Sequence, residues 1–137
     1  MYVSELMSTS AISVREDDSA EYAARLMQRY EIGSLPVTCG QILCGMLTER
    51  DIIVGCVAEG RNPARCRVGE IMSGDACCIA PRESISKAIR LMGEHRLRRL
   101  PVVEDRLIRG TLSIGDIARA TRDMEYTRAI GEIGLCD

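Results

Sequence analysis

One histidine, His95, and one lysine, Lys87, are all that the 137-residue chain contains of those two residue types. A lone histidine leaves no Ser-His-Asp or Cys-His pair with supporting context. His95 falls on an apolar helical stripe, so a partly buried structural role is expected of it. No GxxxxGK[ST] loop is present, which excludes nucleotide hydrolysis at a Walker-type site. The acidic residues show no paired general acid and base, so no enzyme is expected. No apolar run approaches the roughly 18 residues that span a bilayer. The opening MYVSELMSTS lacks the basic and apolar regions of a signal peptide, and cytoplasmic residence is the resulting expectation. Net charge is only −2, so no basic surplus points to nucleic acid.

What is present is unusual in kind. Of 18 basic residues all but Lys87 are arginine, a set suited to bidentate phosphate recognition and equally open to explanation by genomic base composition. Seven cysteines occur, an odd number that argues against a secreted disulfide framework. No four ligands stand at the spacing of a tetrahedral zinc site, so no metal is expected. Small buried hydrophobes are the commoner form of such cysteines. The alternative is a redox-linked bridge between Cys39 and Cys44, which flank a turn, or chemistry at the vicinal Cys77-Cys78.

The dominant feature is a repeat. Residues 45–52 read GMLTERDI and residues 110–117 read GTLSIGDI. Shifting the chain by 65 positions brings Val3 onto Val68, Met7-Ser8 onto Met72-Ser73, Leu35-Pro36-Val37 onto Leu100-Pro101-Val102, and Asp51-Ile52 onto Asp116-Ile117. No gap is needed, and about a third of the aligned positions are identical, so one supersecondary unit has been duplicated. The boundaries expected are repeat 1 over 1–59, a Gly/Asn/Pro-punctuated linker over 60–67, repeat 2 over 68–120 and a helical tail over 121–137.

Each unit reads as β-α-β-β-α. Ser19 and Ser84 are N-caps ahead of apolar stripes such as Ala23, Leu26, Met27 and Tyr30. The strand pairs LPVT/ILCGML and LPVV/LIRGTL form hairpins. Thr48 and Ser113 cap the closing helices, and 11–14 and 76–79 are short β-prone stretches. The tail, with Met124, Ala129, Ile130 and Ile133, reads as a helix that caps a neighbour or a dimer surface. The fold class is α/β of the α+β type, two units packed sheet to sheet about a pseudo-twofold axis.

The octet has chemistry of its own. A helix N-terminus offers free N–H groups and partial positive charge. Thr48 or Ser113 there can donate to a phosphate oxygen, and Asp51 or Asp116 one turn later can accept from a ribose diol. Gly45 and Gly110 allow a ligand or another backbone to approach. The plainer alternative leaves Thr48 and Ser113 as ordinary caps and the aspartates as partners of the helix dipole.

This pattern resembles the CBS domain, which occurs as a tandem pair called a Bateman module. The likeness covers residues 3 to about 120 and rests on the x-L-P-V strand start and the G-h-h-[ST]-x-x-D signature in both copies. It is similar to stand-alone bacterial CBS pairs, some of which serve stress or hypoxia responses. The resemblance implies an adenosyl ligand (AMP, ADP, ATP or S-adenosylmethionine). Asp51 and Asp116 would hold ribose, and Thr48 and Ser113 would sit near phosphate. The backbone of Ile12, Ser13 and Val14 would line adenine at one site, and that of Cys78, Ile79 and Pro81 at the other. Arg98 and Arg99 would reach phosphates, at the site built around Asp51 if the clefts lie between the repeats, or else be plain surface residues.

The resemblance further implies a homodimer. The expected function is a non-enzymatic sensor whose ligand shifts the packing of the repeats for a partner protein to read. Two alternatives stand beside it. One is a structural dimerisation or interaction module with empty clefts, and the other is a cysteine-based redox or metal-linked stress protein.

Overall fold

The computed structural model describes residues 1–123; the expected features at Met124, Ala129, Ile130, Ile133 and Cys136 lie outside them. A short helix α1 (Val3–Leu6) is followed by strand β1 (Val14–Arg15) and helix α2 (Ala20–Tyr30). Ser19 caps α2, its hydroxyl accepting from Tyr22 N–H at 3.0 Å. Strands β2 (Ser34–Cys39) and β3 (Ile42–Thr48) form the first hairpin, and α3 (Glu49–Ile52) continues into a π-helical turn over Ile53–Val57. Gly55 suits that turn, because a Cβ there would press on Ile71.

The second copy repeats the plan. Helix α4 (Val68–Ile71) precedes α5 (Ile85–His95), strands β4 (Arg99–Glu104) and β5 (Leu107–Ser113), and a helix α6 over 114–123. Ser84 caps α5 through Lys87 N–H at 3.1 Å. The second β-prone stretch contributes only a single parallel bridge, Ile79 to Val102. Between the repeats, Arg61 pairs with Glu70. That guanidinium, followed by the Arg67 backbone N–H, holds the Glu70 carboxyl below its usual range.

The two hairpins join edge to edge rather than only stacking. One five-stranded sheet runs β1-β2-β3-β5-β4, closed at the hairpin tips by the pair Ile42–Leu107 and a 3.2 Å bond from Leu43 N–H to Arg106 C=O.

Each leading helix sits in the other repeat. Val68 of α4 is buried with Val14, Leu35, Val37 and Leu47, while Val3 of α1 is buried with Leu100, Val102 and Leu112. Two backbone bridges lock this exchange. Met46 and Ser73 trade N–H···O=C bonds of 2.9 Å each, as do Ser8 and Thr111. The approach is so close that a Cβ on Gly45 would collide with Ser73 C=O, and one on Gly110 with Ser8 C=O. The signature glycines therefore admit a backbone.

Because the obstacle is main chain, Gly45→Ala and Gly110→Ala should each destabilise the fold by about 1–3 kcal/mol, the usual range for overpacking. Gly93→Ala, in α5 with open space around it, should instead stabilise by about 1 kcal/mol. Urea unfolding of the three variants checks the opposite signs.

Candidate functional site

Both octets fold as reciprocal capping boxes. Asp51 N–H donates to Thr48 Oγ1 at 3.1 Å and Thr48 N–H to Asp51 Oδ2 at 2.8 Å. Asp116 N–H donates to Ser113 Oγ and Ser113 N–H to Asp116 Oδ2, both at 3.0 Å. Each pair satisfies two otherwise free helix donors, so hydroxyl and carboxylate have a structural task at both sites. In each box one carboxylate oxygen, Oδ1, takes no part. At Asp116 it accepts from Arg119 at 2.5 Å.

A cavity of about 300 Å³ lies between the repeats. Repeat 1 contributes Ile12, Tyr30 and Ser34, and repeat 2 contributes Arg99, Ser113, Asp116 and Arg119. It shares Ile32, Ser34, Arg99, Ser113 and Arg119 with a groove of about 830 Å³ that also touches Thr48. Arg96, Arg98, Arg99 and Arg119 face Glu31 and Glu49 across that groove, a positive surplus suited to an anion. Cavity and groove each lie in the size range of small-molecule sites.

The structure therefore gathers Ile12, Arg99, Ser113 and Asp116 in the cavity, with Thr48 and Arg98 in the groove beyond. Asp51 lines neither. Alternation along the segment leading into β1 separates Ile12 from Ser13, which lines a different groove with Ala11 and Arg15 at the hairpin tips. The side chains of Val14 and Ile79, whose backbone is expected to face adenine, are buried in the cores. Ile79 also spends its N–H on Pro101 C=O (3.1 Å) and its C=O on Val103 N–H (2.8 Å). Pro81 accepts from Ser4 N–H at 2.9 Å, which ties it to the exchanged helix α1. Cys78 is exposed.

Tyr30 was missed as a site residue. Its place on the apolar stripe pointed to the core, yet it ends α2 at the cavity wall, where its ring can stack on a flat ligand. His95, its equivalent, is exposed in the last turn of α5 rather than partly buried.

The cysteines divide three ways. Cys39 and Cys44 are joined by a disulfide, with Cα atoms 5.8 Å apart, so this pair is not a set of plain buried hydrophobes. Cys56 and Cys66 are buried. Burial pushes the Cys66 thiol up, and the adjoining Cys56 adds to it. Burial likewise pushes the Cys77 thiol up, with Cys78 and Glu94 acting in the same direction.

The whole arrangement matches known proteins. The CBS domain model matches residues 3–56 and 68–123, and the chain belongs to the CBS domain family. It is similar to the CBS domain-containing protein YhcV of Bacillus subtilis, at 35% identity over 85% of this chain and 82% of that one. It is similar to Hypoxic response protein 1 of Mycobacterium tuberculosis, at 33% identity over 84% and 81%. A solved structure of Hypoxic Response Protein I with two coordinated zinc ions superposes with a TM-score of 0.78 at 31% identity, covering 87% of this chain and 98% of that one. Among the described residues, no helix is long and apolar enough to cross a membrane.

Thiol chemistry should follow burial, since the thiolate is the reactive form. Native alkylation is expected to label Cys78 first and Cys77 more slowly. Cys56 and Cys66 should react only after unfolding. Peptide mass spectrometry over a time course reads the order; early labelling of Cys66 would contradict it.

Proposed function

We propose that the chain is a non-catalytic regulatory module that binds an adenosyl ligand in the cavity at Asp116. The observation that carries this reading is the convergence there of Tyr30 and Ile12 from one repeat with Asp116, Arg99 and Arg119 from the other. A flat base suits the Ile12 and Tyr30 wall. Each oxygen of the Asp116 carboxylate already accepts one bond, from Ser113 N–H or from Arg119, and keeps a second lone pair for a ribose hydroxyl. Phosphates would extend into the groove toward Arg98, Arg99 and Arg119. Nothing in this constellation provides a nucleophile with a base.

The two octets then have different duties. By the 65-residue shift, the positions around Asp51 that correspond to Tyr30, Arg119 and Ser10 are His95, Val54 and Asp75. A phosphate there would lose a cation and meet an extra carboxylate. Asp51 and Thr48 are thus read as a cap, and Asp116 and Ser113 as a cap that also holds ligand. This gives the empty-cleft reading its proper place, at one octet of the two.

Because the cavity is built from both repeats, a bound ligand favours one packing of the pair, and a partner protein reads that packing. A homodimer in the cytoplasm is the proposed setting. The kinship with Hypoxic response protein 1 makes a role in stress the natural context.

Titration calorimetry against AMP, ADP, ATP, NAD and S-adenosylmethionine tests the proposal. Asp→Asn variants serve best, because the amide oxygen still accepts the cap bond. One ligand should bind, and Asp116→Asn should weaken it about tenfold or more, the scale of a hydrogen bond to a charged group. Asp51→Asn should leave it unchanged. Equal losses in both variants, or no binding across the panel by folded protein, would overturn the assignment.

A further inference from the structure

The first hairpin carries a feature that the nucleotide cleft does not use. In β2–β3 the register slips between Val37 and Thr38, so that Thr38 faces Leu43 and Val37 faces Gly45. Cys44 is the extra residue of that bulge, and it turns toward Cys39. The second hairpin has the same slip between Val102 and Val103, with Arg109 as its extra residue. There the equivalent side chains, Arg109 and Glu104, form an ion pair at 3.8 Å. The backbone thus presses these two positions together in both repeats. Only the first copy fills them with thiols.

A third donor completes the first site and has no counterpart in the second. Glu16 corresponds to Pro81. Its carboxylate and the sulfurs of Cys39 and Cys44 lie within 4.8 Å of one another. The Glu16 backbone is pinned on both sides: its N–H donates to Thr38 C=O at 3.1 Å, and its C=O accepts from Gly69 N–H at 2.8 Å. The side chain is therefore delivered to the thiols at little cost in backbone order. Cys39 and Cys44 also have four residues between them, at the wide end of the C-x₂₋₄-C range of zinc ligands.

We propose that Cys39, Cys44 and Glu16 form a redox-gated site for one zinc-class divalent cation, which the reduced pair binds and the disulfide cannot. In a reducing compartment the pair stands as thiols. Binding converts two thiols to two metal–thiolate bonds and releases two protons to solvent. A two-thiolate, one-carboxylate set suits a borderline-soft cation and leaves a fourth position for water. Hydrogen peroxide reverses the state. The thiolates give up two electrons as the S–S bond forms and the O–O bond breaks, two protons from solvent complete two waters, and the cation leaves.

Cobalt(II) is the probe, because thiolate–cobalt charge transfer and tetrahedral d–d bands report the ligands directly. The full chain, reduced and metal-free, is titrated anaerobically. One cobalt per chain should bind with thiolate bands, and zinc should displace it. Cys39→Ser and Cys44→Ser should each lose the bands, whereas Cys77→Ser/Cys78→Ser should keep them. Glu16→Gln, a surface change that leaves the fold alone, should weaken cobalt by at least about tenfold, since even supporting residues around a metal cost that much. Peroxide-oxidised protein should show no bands until reduced by a phosphine. Folded, reduced protein without thiolate bands would overturn the proposal. Bands that survive Cys39→Ser, or affinity indifferent to Glu16→Gln, would do so as well.

Discussion

The pair of backbone bridges, Met46 to Ser73 and Ser8 to Thr111, is the constraint on which the rest depends. Each fastens the leading segment of one repeat against a strand of the other. Without them Val68 would not complete the core under β2 and β3, and Val3 would not complete the core under β4 and β5. Units of this size bury too little apolar surface to be secure alone, so exchange makes the two cores interdependent. Gly45 and Gly110 serve the exchange directly. The first residue of the octet is there for packing, the hydroxyl and carboxylate close the helix, and the proposed ligand role is added on top at one copy.

Duplication has fixed the backbone and released the side chains. The caps at Ser19 and Ser84, the reciprocal boxes at Thr48 and Ser113, and the left-handed residues Glu31 and Arg96 that end α2 and α5 are superposable devices. Divergence falls where the backbone does not dictate the residue. Tyr30 corresponds to His95, Arg119 to Val54, and the thiols at Cys39 and Cys44 to Glu104 and Arg109. A symmetric frame therefore carries asymmetric chemistry, which is how one fold can hold an anion on one side and a thiol pair at one hairpin.

Local signals were legible in the sequence, and long-range ones were not. Capping hydroxyls, strand starts at Leu35-Pro36 and Leu100-Pro101, and both hairpin turns depend on neighbours a few residues away. The exchange of α1 and α4 depends on contacts of residues 3–8 with 81–111 and of residues 68–73 with 14–47, for which no periodicity speaks. The site suffered in the same way. Asp116, Ser113, Arg99 and Ile12 line one cavity, a grouping that no spacing announces, and a β-prone stretch has two faces, so only the structure assigns Ile12 to the cleft and Ser13 away from it. Val14 and Ile79 went to the core because a strand beside β2 or β4 buries alternate residues. Tyr30 was hidden because an apolar stripe does not say where the helix stops relative to a cavity. The Cys39–Cys44 contact turns on a bulge, which the sequence marks only by a cysteine beside a glycine.

The cavity and the bridges share residues, and this bears on how occupancy would be transmitted. Ser8, Thr111 and Met46 line the cavity, and all three are bridge residues. A ligand seated against them touches the strand pairs that hold the repeats together, so its differential affinity for two packings acts where the packing is decided. Coupling then needs no relay across the fold. The energy available is bounded by that differential affinity, whatever the total strength of binding. A ligand that gripped only Asp116 and Arg119, both of one repeat, would bind without altering the pair. Contact with Tyr30, Ile12 and Ser8 of the other repeat is what would turn binding into a signal.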